Sequence, residues 1–155
     1  MKHSWSNSFK KFLKLPLHEK GLLFEAFFSL IFAHLVILFV PFRRIAPRLG
    51  KHMKETPTAL QSQPTEILQQ IRQSIIRAIR FIPWESRCLV QGIAGKTMLK
   101  RRKIATTLYL GVARYAKKED ELKAHAWLRC GNFVLTGRKG MKQFTVVSIF
   151  GENVN

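Results

Sequence analysis

The chain has few acidic residues. Only 9 of its 155 residues are Asp or Glu, against 27 Lys or Arg, so the formal net charge is +18. Such an excess favours an anionic partner, which can be a nucleic acid, a membrane surface or an acidic peptide, and it does not choose among them. Because 46% of the residues are hydrophobic, the charge does not indicate a disordered polycation.

Cysteine is also scarce. It occurs only at Cys88 and Cys130, and neither residue is part of a CxxC or CxxH pair. This spacing disfavours a zinc site, and we expect neither a metal nor a cofactor. The sequence has no run that resembles a secretory signal peptide, because its apolar run begins near Gly21 and no small-residue cleavage site follows it. We therefore predict a cytoplasmic protein with reduced thiols.

The longest hydrophobic run is GLLFEAFFSLIFAHLVILFV, residues 21–40, and it has about the length of a membrane-spanning helix. Glu25 and His34 lie within it, however, and a carboxylate is costly at membrane depth. Basic residues flank both ends, so the charge gives little indication of orientation. We predict a helix that is buried in a protein core or interface. The alternative is membrane association through residues 21–40.

The pattern divides the chain into three parts. Residues 1–45 comprise a basic segment and the apolar helix, and residues 46–65, with three prolines, are typical of a linker. Residues 66–155 are predicted to form the core domain, which starts with two helices. In residues 66–82, apolar residues recur at every fourth position and form one face of the first helix. Residues 86–102 form the second helix, with Ser86 as its N-cap.

Strands are predicted after the helices. Residues 105–112 are rich in β-branched and aromatic side chains, and residues 123–130 and 133–135 form a hairpin around Gly131-Asn132. The charged residues 117–121 are predicted as a turn, and residues 145–150 as the last strand. Helices followed by consecutive strands indicate an α+β fold rather than a βαβ series.

Cys88 and His125 are the candidate catalytic residues. Cys88 falls in the first turn of its predicted helix, where the helix dipole and unpaired N–H groups favour a thiolate and can hold an oxyanion. Strand alternation places His125 with Trp127, on the face away from small apolar residues. A cysteine at a helix start that faces a histidine on a strand is the arrangement of thiol hydrolases. Taken singly, Cys88 is also consistent with a buried free cysteine, as most lone cysteines are, and His125 with a half-buried strand histidine that has a backbone partner.

The run from Arg87 to Gly137 resembles the transglutaminase-like cysteine peptidases of lasso-peptide biosynthesis. These are the leader peptidases that are called B2 proteins when they stand alone. The matching elements are Arg87-Cys88-Leu89 at a helix start, a strand that ends in Leu110-Gly111-Val112, a charged turn, and His125-Ala126-Trp127. The apolar helix followed by Pro41-Phe42-Arg43-Arg44 is similar to the usual start of that family.

The resemblance implies a papain-like α+β fold, in which a catalytic helix packs on a small antiparallel sheet. It also implies a cysteine protease that removes the leader from a lasso-peptide precursor, with Cys88 as nucleophile, His125 as general base and acid, and Trp127 as a shielding or packing residue. The implied partners are the precursor peptide, a leader-recognition protein and a macrolactam-forming lasso cyclase, and no nucleic acid is expected. The alternatives are a catalytically weak or inactive transglutaminase-like scaffold protein and a basic nucleic-acid-binding module.

The third catalytic residue of the family does not carry over. Relatives usually place an aspartate about a dozen residues after the histidine, where this sequence reads Thr136-Gly137-Arg138, and no carboxylate lies between His125 and Glu152. If residue 130 pairs with residue 133, Thr136 lies diagonally opposite His125 on the same sheet face. The orienting group is therefore left open between Thr136 or a backbone oxygen, Asn132, Glu152, and no third group.

Overall fold

The computed structural model describes residues 15–58, 65–83, 88–115 and 118–153, with side chains omitted at 115 and 118–121. Its helices are α1 (Leu17–Phe39), α2 (Phe42–Ile45), α3 (Thr65–Ile79) and α4 (Cys88–Arg101). Its strands are β1 (Lys51–His52), β2 (Thr106–Tyr115), β3 (Lys118–Cys130), β4 (Phe133–Thr136) and β5 (Thr145–Glu152). Two short 3-10 turns, Ala46–Leu49 and Met141–Gln143, complete the described elements. The predicted α+β class is confirmed.

The strands form one antiparallel sheet in the order β1-β5-β2-β3-β4. The predicted hairpin around Gly131-Asn132 is confirmed, because Cys130 pairs with Phe133 across it. The predicted turn at residues 117–121 is wrong in extent, since β3 already begins at Lys118 and Tyr115 pairs with that residue. Charge indicated exposure there, but exposed strands carry charge as readily as turns do, so composition did not separate the two.

Part of the predicted linker packs against the sheet. Lys51–His52 form β1 and pair with the end of β5, and Leu49 just before them is buried. Thr56 is buried as well, and its backbone N and Oγ1 lie 2.9 and 2.8 Å from Thr107 Oγ1. Residues 59–64 of that range lie outside the described residues. The division into three parts remains a prediction.

Helix α4 lies at the centre of the packing. It contacts β2, β3 and β4 on one side and α1 and α3 on the other. Eight of its 14 residues are buried, and the sheet meets it with fully buried leucines on β2, β3 and β4 (Leu108, Leu128 and Leu135). Burying each such side chain contributes about 1.5–3 kcal/mol. This packing fixes the start of α4, which carries Cys88, relative to the strand that carries His125.

Helix α1 packs on α3 and α4 through one of its faces. The buried residues of that face are Leu22, Leu23, Ala26, Ser29, Leu30 and Ala33. Glu25, the charged residue within the apolar run, lies 2.6 and 3.0 Å from the guanidinium nitrogens of Arg102. Burial by itself would raise the pKa of Glu25, but hydrogen bonds and charge from Arg102 and Arg101 hold it below the ordinary value. The carboxylate is therefore accommodated by the protein.

Candidate active site

Cys88 is the first residue of α4. Its thiol is free and half-buried. At this position the first-turn N–H groups have no acceptor within the helix, and such groups can donate hydrogen bonds to a ligand. Residues 84–87, which include the predicted N-cap Ser86, lie outside the described residues. Cys130, the second cysteine, is buried below the sheet surface, and burial raises the pKa of its thiol.

His125 lies on β3, opposite Gly111 on β2. Its Nε2 atom is 2.8 Å from the carbonyl oxygen of Gly137. A carbonyl oxygen only accepts hydrogen bonds, so Nε2 carries the proton in this contact. The other ring nitrogen, Nδ1, is then available to exchange a proton with a thiol. A backbone oxygen, one of the open possibilities from the sequence, therefore holds the imidazole.

Gly137 reaches His125 because it has no side chain. Its φ is +72°, and a Cβ atom at this position would lie 2.2 Å from the carbonyl oxygen of Ala126 and 2.8 Å from Cα of Trp127. A left-handed φ is costly for residues with a side chain, and so close an approach to β3 leaves no room for one. Gly137 stands 12 residues after the histidine. The chain therefore presents a backbone acceptor where the resemblance leads us to expect an aspartate.

Thr136 does not lie on the face expected for it. The register shifts between Leu128 and Arg129, where Leu135 is an extra residue on β4, so that Thr136 pairs with Leu128 and shares its face. The hydroxyl is directed toward α4, about 4.0 Å from the position that a Cβ on Gly92 would occupy. Thr136 Oγ1 is buried and has no hydrogen-bond partner among the described residues. Thr136 is thus a wall of the site and not the group that orients His125.

The two other candidates for the orienting group lie elsewhere. Asn132 is exposed in the turn of the β3–β4 hairpin. Glu152 lies 3.1 Å from the ammonium group of Lys96 and also pairs with Lys100. Those lysines are 8 and 12 residues beyond Cys88 on α4, which corresponds to about 12–18 Å along the helix axis. Glu152 therefore belongs to the opposite end of α4.

Aromatic rings hold His125 from two sides. Its ring centroid is 6.0 Å from that of Trp127 and 4.9 Å from that of Phe144. Gly111 makes this arrangement possible, since a Cβ there would lie 2.9 Å from both Phe144 Cβ and the Trp127 ring. The packing role expected for Trp127 fits this geometry. Phe144 was missed in the sequence, because it follows a short 3-10 turn and gives no periodic signal.

Cys88 and His125 line one groove, with a volume of about 310 Å³. Its apolar wall comes from α3 and β4, through Ile75, Ile76 and Leu135, and its polar wall includes Gln91 and Thr136. The charged residues that line it are Arg72, Arg138 and Lys139, and no carboxylate is among its described lining residues. The groove is therefore electropositive and half apolar.

The fold and the groove define an α+β protein with a cysteine at the start of its central helix and a histidine on the adjoining sheet. A family model described as the transglutaminase-like superfamily matches residues 36–149, and the chain belongs to that superfamily. The fold is thus that of the papain-like cysteine proteases, as the sequence resemblance implies. Searches of curated proteins and of solved structures returned no match.

Metal binding has no support in the described part of the chain. Within residues 15–58, 65–83, 88–115 and 118–153, no group of three or more His, Cys, Asp or Glu side chains is placed to hold a metal ion.

Proposed function

We propose that the protein is a cysteine peptidase in which Cys88 is the nucleophile and His125 is the general base and acid. The observation that carries this proposal is the shared groove. Cys88 enters it from the start of α4, and His125 enters it from β3 with its Nε2 tied to Gly137. This hydrogen bond leaves Nδ1 as the ring nitrogen that can accept the thiol proton. The Cys88 thiol and the His125 imidazole therefore have complementary roles in proton transfer.

The proposed reaction has two steps. His125 accepts the thiol proton of Cys88, and the thiolate attacks the scissile carbonyl carbon to give a tetrahedral oxyanion. N–H groups in the first turn of α4 are the candidate donors to this oxyanion. His125 then returns the proton to the leaving amine, which departs and leaves a thioester. Water, deprotonated by His125, hydrolyses the thioester and regenerates the thiol.

A carbonyl oxygen differs from the aspartate of relatives in carrying no full charge. It fixes the tautomer and orientation of the imidazole, but it stabilises the imidazolium less than a carboxylate does. Cysteine enzymes depend less on the acid, because their thiolate and imidazolium already form a pair in the resting enzyme. The contact with Gly137 therefore favours an active peptidase over the inactive scaffold.

The substrate that we propose is the leader–core junction of a lasso-peptide precursor. The motifs around Cys88 and His125 support this substrate. The groove is compatible with an extended peptide, since it combines an apolar wall with three cations and is lined by no described carboxylate. A leader-recognition protein and a lasso cyclase are the proposed partners. The cyclase would use the amine that the cleavage releases.

The direct test is leader release followed by mass spectrometry. The precursor and its recognition protein are mixed with the native chain, with Cys88→Ala, with His125→Ala, or with Cys130→Ala as the matched control for loss of a thiol. We expect cleavage by the native chain and by the control, and none by the two site variants. A run in 18O-labelled water shows hydrolysis if the leader gains one heavy oxygen.

Two results would overturn the proposal at different levels. Cleavage by Cys88→Ala at the native rate would remove Cys88 as the nucleophile. If the folded native chain does not cleave in the presence of the recognition protein, the leader-peptidase function is wrong. Tight precursor binding without cleavage would then identify a scaffold, and steeply salt-dependent DNA binding would identify a nucleic-acid module.

A further inference from the structure

The outer face of α1 carries a row of exposed apolar side chains. The row consists of Phe28, Phe32, Leu35, Leu38 and Phe39, with exposed fractions of 46–74%. Their spacing of about three to four residues places them on one side of the helix, opposite the face that packs on α3 and α4. From Phe28 to Phe39 the row extends about 17 Å along the helix. We call these five residues the apolar row.

The apolar row takes no part in the packing of the described domain. Single exposed apolar residues are common, but contiguous apolar patches on a soluble protein usually mark a surface that meets a partner or a membrane. Helix α1 is also the one described helix that is long and apolar enough to cross a membrane by length and composition. We therefore expect a binding partner or a membrane to cover the apolar row.

Positive charge continues directly from the apolar row. The chain from residue 26 to residue 54 contains no Asp or Glu, and it carries Arg43, Arg44, Arg48, Lys51 and Lys54. All five of these side chains are exposed. An apolar helix face that adjoins a basic cluster is the composition that binds anionic lipid surfaces, where each cation near the surface adds to the affinity.

The opposite face of α1 excludes a spanning arrangement. Ala26, Leu30 and Ala33 are fully buried against the domain, and Glu25 is bound to Arg102. A helix that crossed the bilayer would have to leave these contacts and carry Glu25 into the hydrocarbon. A helix that lies in the plane of the interface keeps all of them and places only the apolar row in the lipid.

A second copy of the chain is a poorer occupant of the row. Two chains that met through their apolar rows would bring two basic clusters together, each on a molecule of formal charge +18. Like charges in such an interface repel, whereas an anionic membrane complements them. We propose that α1 docks the protein on an anionic lipid surface, in the plane of the interface, through the apolar row and the adjoining arginines.

Vesicle flotation tests the docking with the full chain. The vesicles are made of phosphatidylcholine alone or of an equal mixture of phosphatidylcholine and phosphatidylglycerol. The test variant is Phe28→Ser/Phe32→Ser/Phe39→Ser, whose three side chains are all exposed and contribute little to the core. The matched control is Phe81→Ser, an exposed phenylalanine after the end of α3. That end lies beside the start of α1, where Arg77 pairs with Glu19, and not beside the apolar row.

We expect the native chain and Phe81→Ser to float with the anionic vesicles and not with the neutral ones. The triple variant should lose at least roughly 100-fold in partitioning, because three large apolar side chains no longer leave water. Arg43→Gln/Arg44→Gln should lose about tenfold or more, and its residual binding should depend less on salt. Circular dichroism of each variant shows that the fold is kept.

Four outcomes would overturn the proposal. The first is that the native chain does not float with anionic vesicles, and the second is that the triple variant floats as well as Phe81→Ser. Alternatively, light scattering shows a dimer that the triple variant dissociates, which assigns the apolar row to a second copy. An alkaline carbonate wash that fails to release bound protein would refute the in-plane arrangement. None of these readouts depends on peptidase activity, so the docking and the proposed function fail separately.

Discussion

Replacing Gly137 by alanine tests whether the backbone contact with His125 is used in catalysis. The added Cβ would lie 2.2 Å from the carbonyl oxygen of Ala126 and 2.8 Å from Cα of Trp127. Both atoms belong to the backbone of β3, so neither can rotate away. Since carbon and oxygen atoms do not approach much closer than about 3.2 Å, the segment with Gly137 must move by about 1 Å. The 2.8 Å hydrogen bond to His125 Nε2 does not survive such a displacement.

The size of the effect follows from the role of that bond. A displacement of about 1 Å in a catalytic array can lower the rate by about 100-fold. Loss of the orienting acid costs about 10⁴-fold in serine proteases, and cysteine enzymes depend on it less. We therefore expect kcat for leader release to fall by about 10–100-fold with KM nearly unchanged. The left-handed φ of +72° and the clash should together lower the free energy of unfolding by about 2 kcal/mol.

Gly140 provides the matched control. Its φ is +78°, close to that of Gly137, but a Cβ there would have no neighbour within 4 Å. Gly140→Ala thus carries similar backbone strain without the clash. Single-turnover cleavage measures the rate, and the 15N shifts of the His125 ring report its tautomer without any substrate. If folded Gly137→Ala cleaves as fast as Gly140→Ala and keeps the Nε2-protonated ring, the assignment of Gly137 as the orienting residue is refuted.

Three further predictions concern Thr136, Glu25 and the two cysteines. Thr136→Val should leave kcat unchanged. In a urea titration its free energy of unfolding should stay the same or rise by up to about 1 kcal/mol, because the buried hydroxyl has no described partner. A clear loss of stability would instead show that the hydroxyl has a hydrogen-bond partner. Glu25→Gln should lower the free energy of unfolding by about 1 kcal/mol at pH 7, a value reduced for partial exposure. The folded-state pKa of Glu25 lies below the ordinary 4.5. The stability difference between the native chain and the variant should therefore be complete above pH 4.5 and disappear as the pH falls through the folded-state pKa. A difference that does not change with pH contradicts the ion pair with Arg102. Iodoacetamide should label Cys88 much faster than Cys130, because Cys130 is 1% exposed and burial raises its thiol pKa. Peptide mapping measures the two labelling rates, and equal rates would contradict the buried position of Cys130.

The sequence identified the two candidate catalytic residues because their signals are local. A cysteine at the start of a helix and a histidine on a strand can each be identified from the neighbouring pattern, and the motifs around them are specific. The groove lined by both side chains agrees with that pairing. The orienting group had no such signal, because a backbone carbonyl is present at every residue and only the path of the chain decides which one reaches the imidazole.

Strand β1 and the bulge in β4 show the same limit. Lys51–His52 were placed in a linker, since two polar residues between prolines carry no strand pattern, and their pairing with β5 depends on contacts about 100 residues apart. Thr136 was placed on the face of His125 by counting from the hairpin. One extra residue on β4, Leu135, opposite the step from Leu128 to Arg129 reversed that assignment.

The sequence by itself determined the α+β class, the candidate pair Cys88 and His125, the excess of positive charge and the apolar helix, because each of these depends on residue type and short-range spacing. The tertiary structure decided which group holds His125, which face Thr136 occupies, and that α1 pairs Glu25 with Arg102 while it exposes phenylalanines on its outer face. These features depend on which distant segments meet. Close packing and strand register set those meetings, and neither is encoded in any single stretch of the chain.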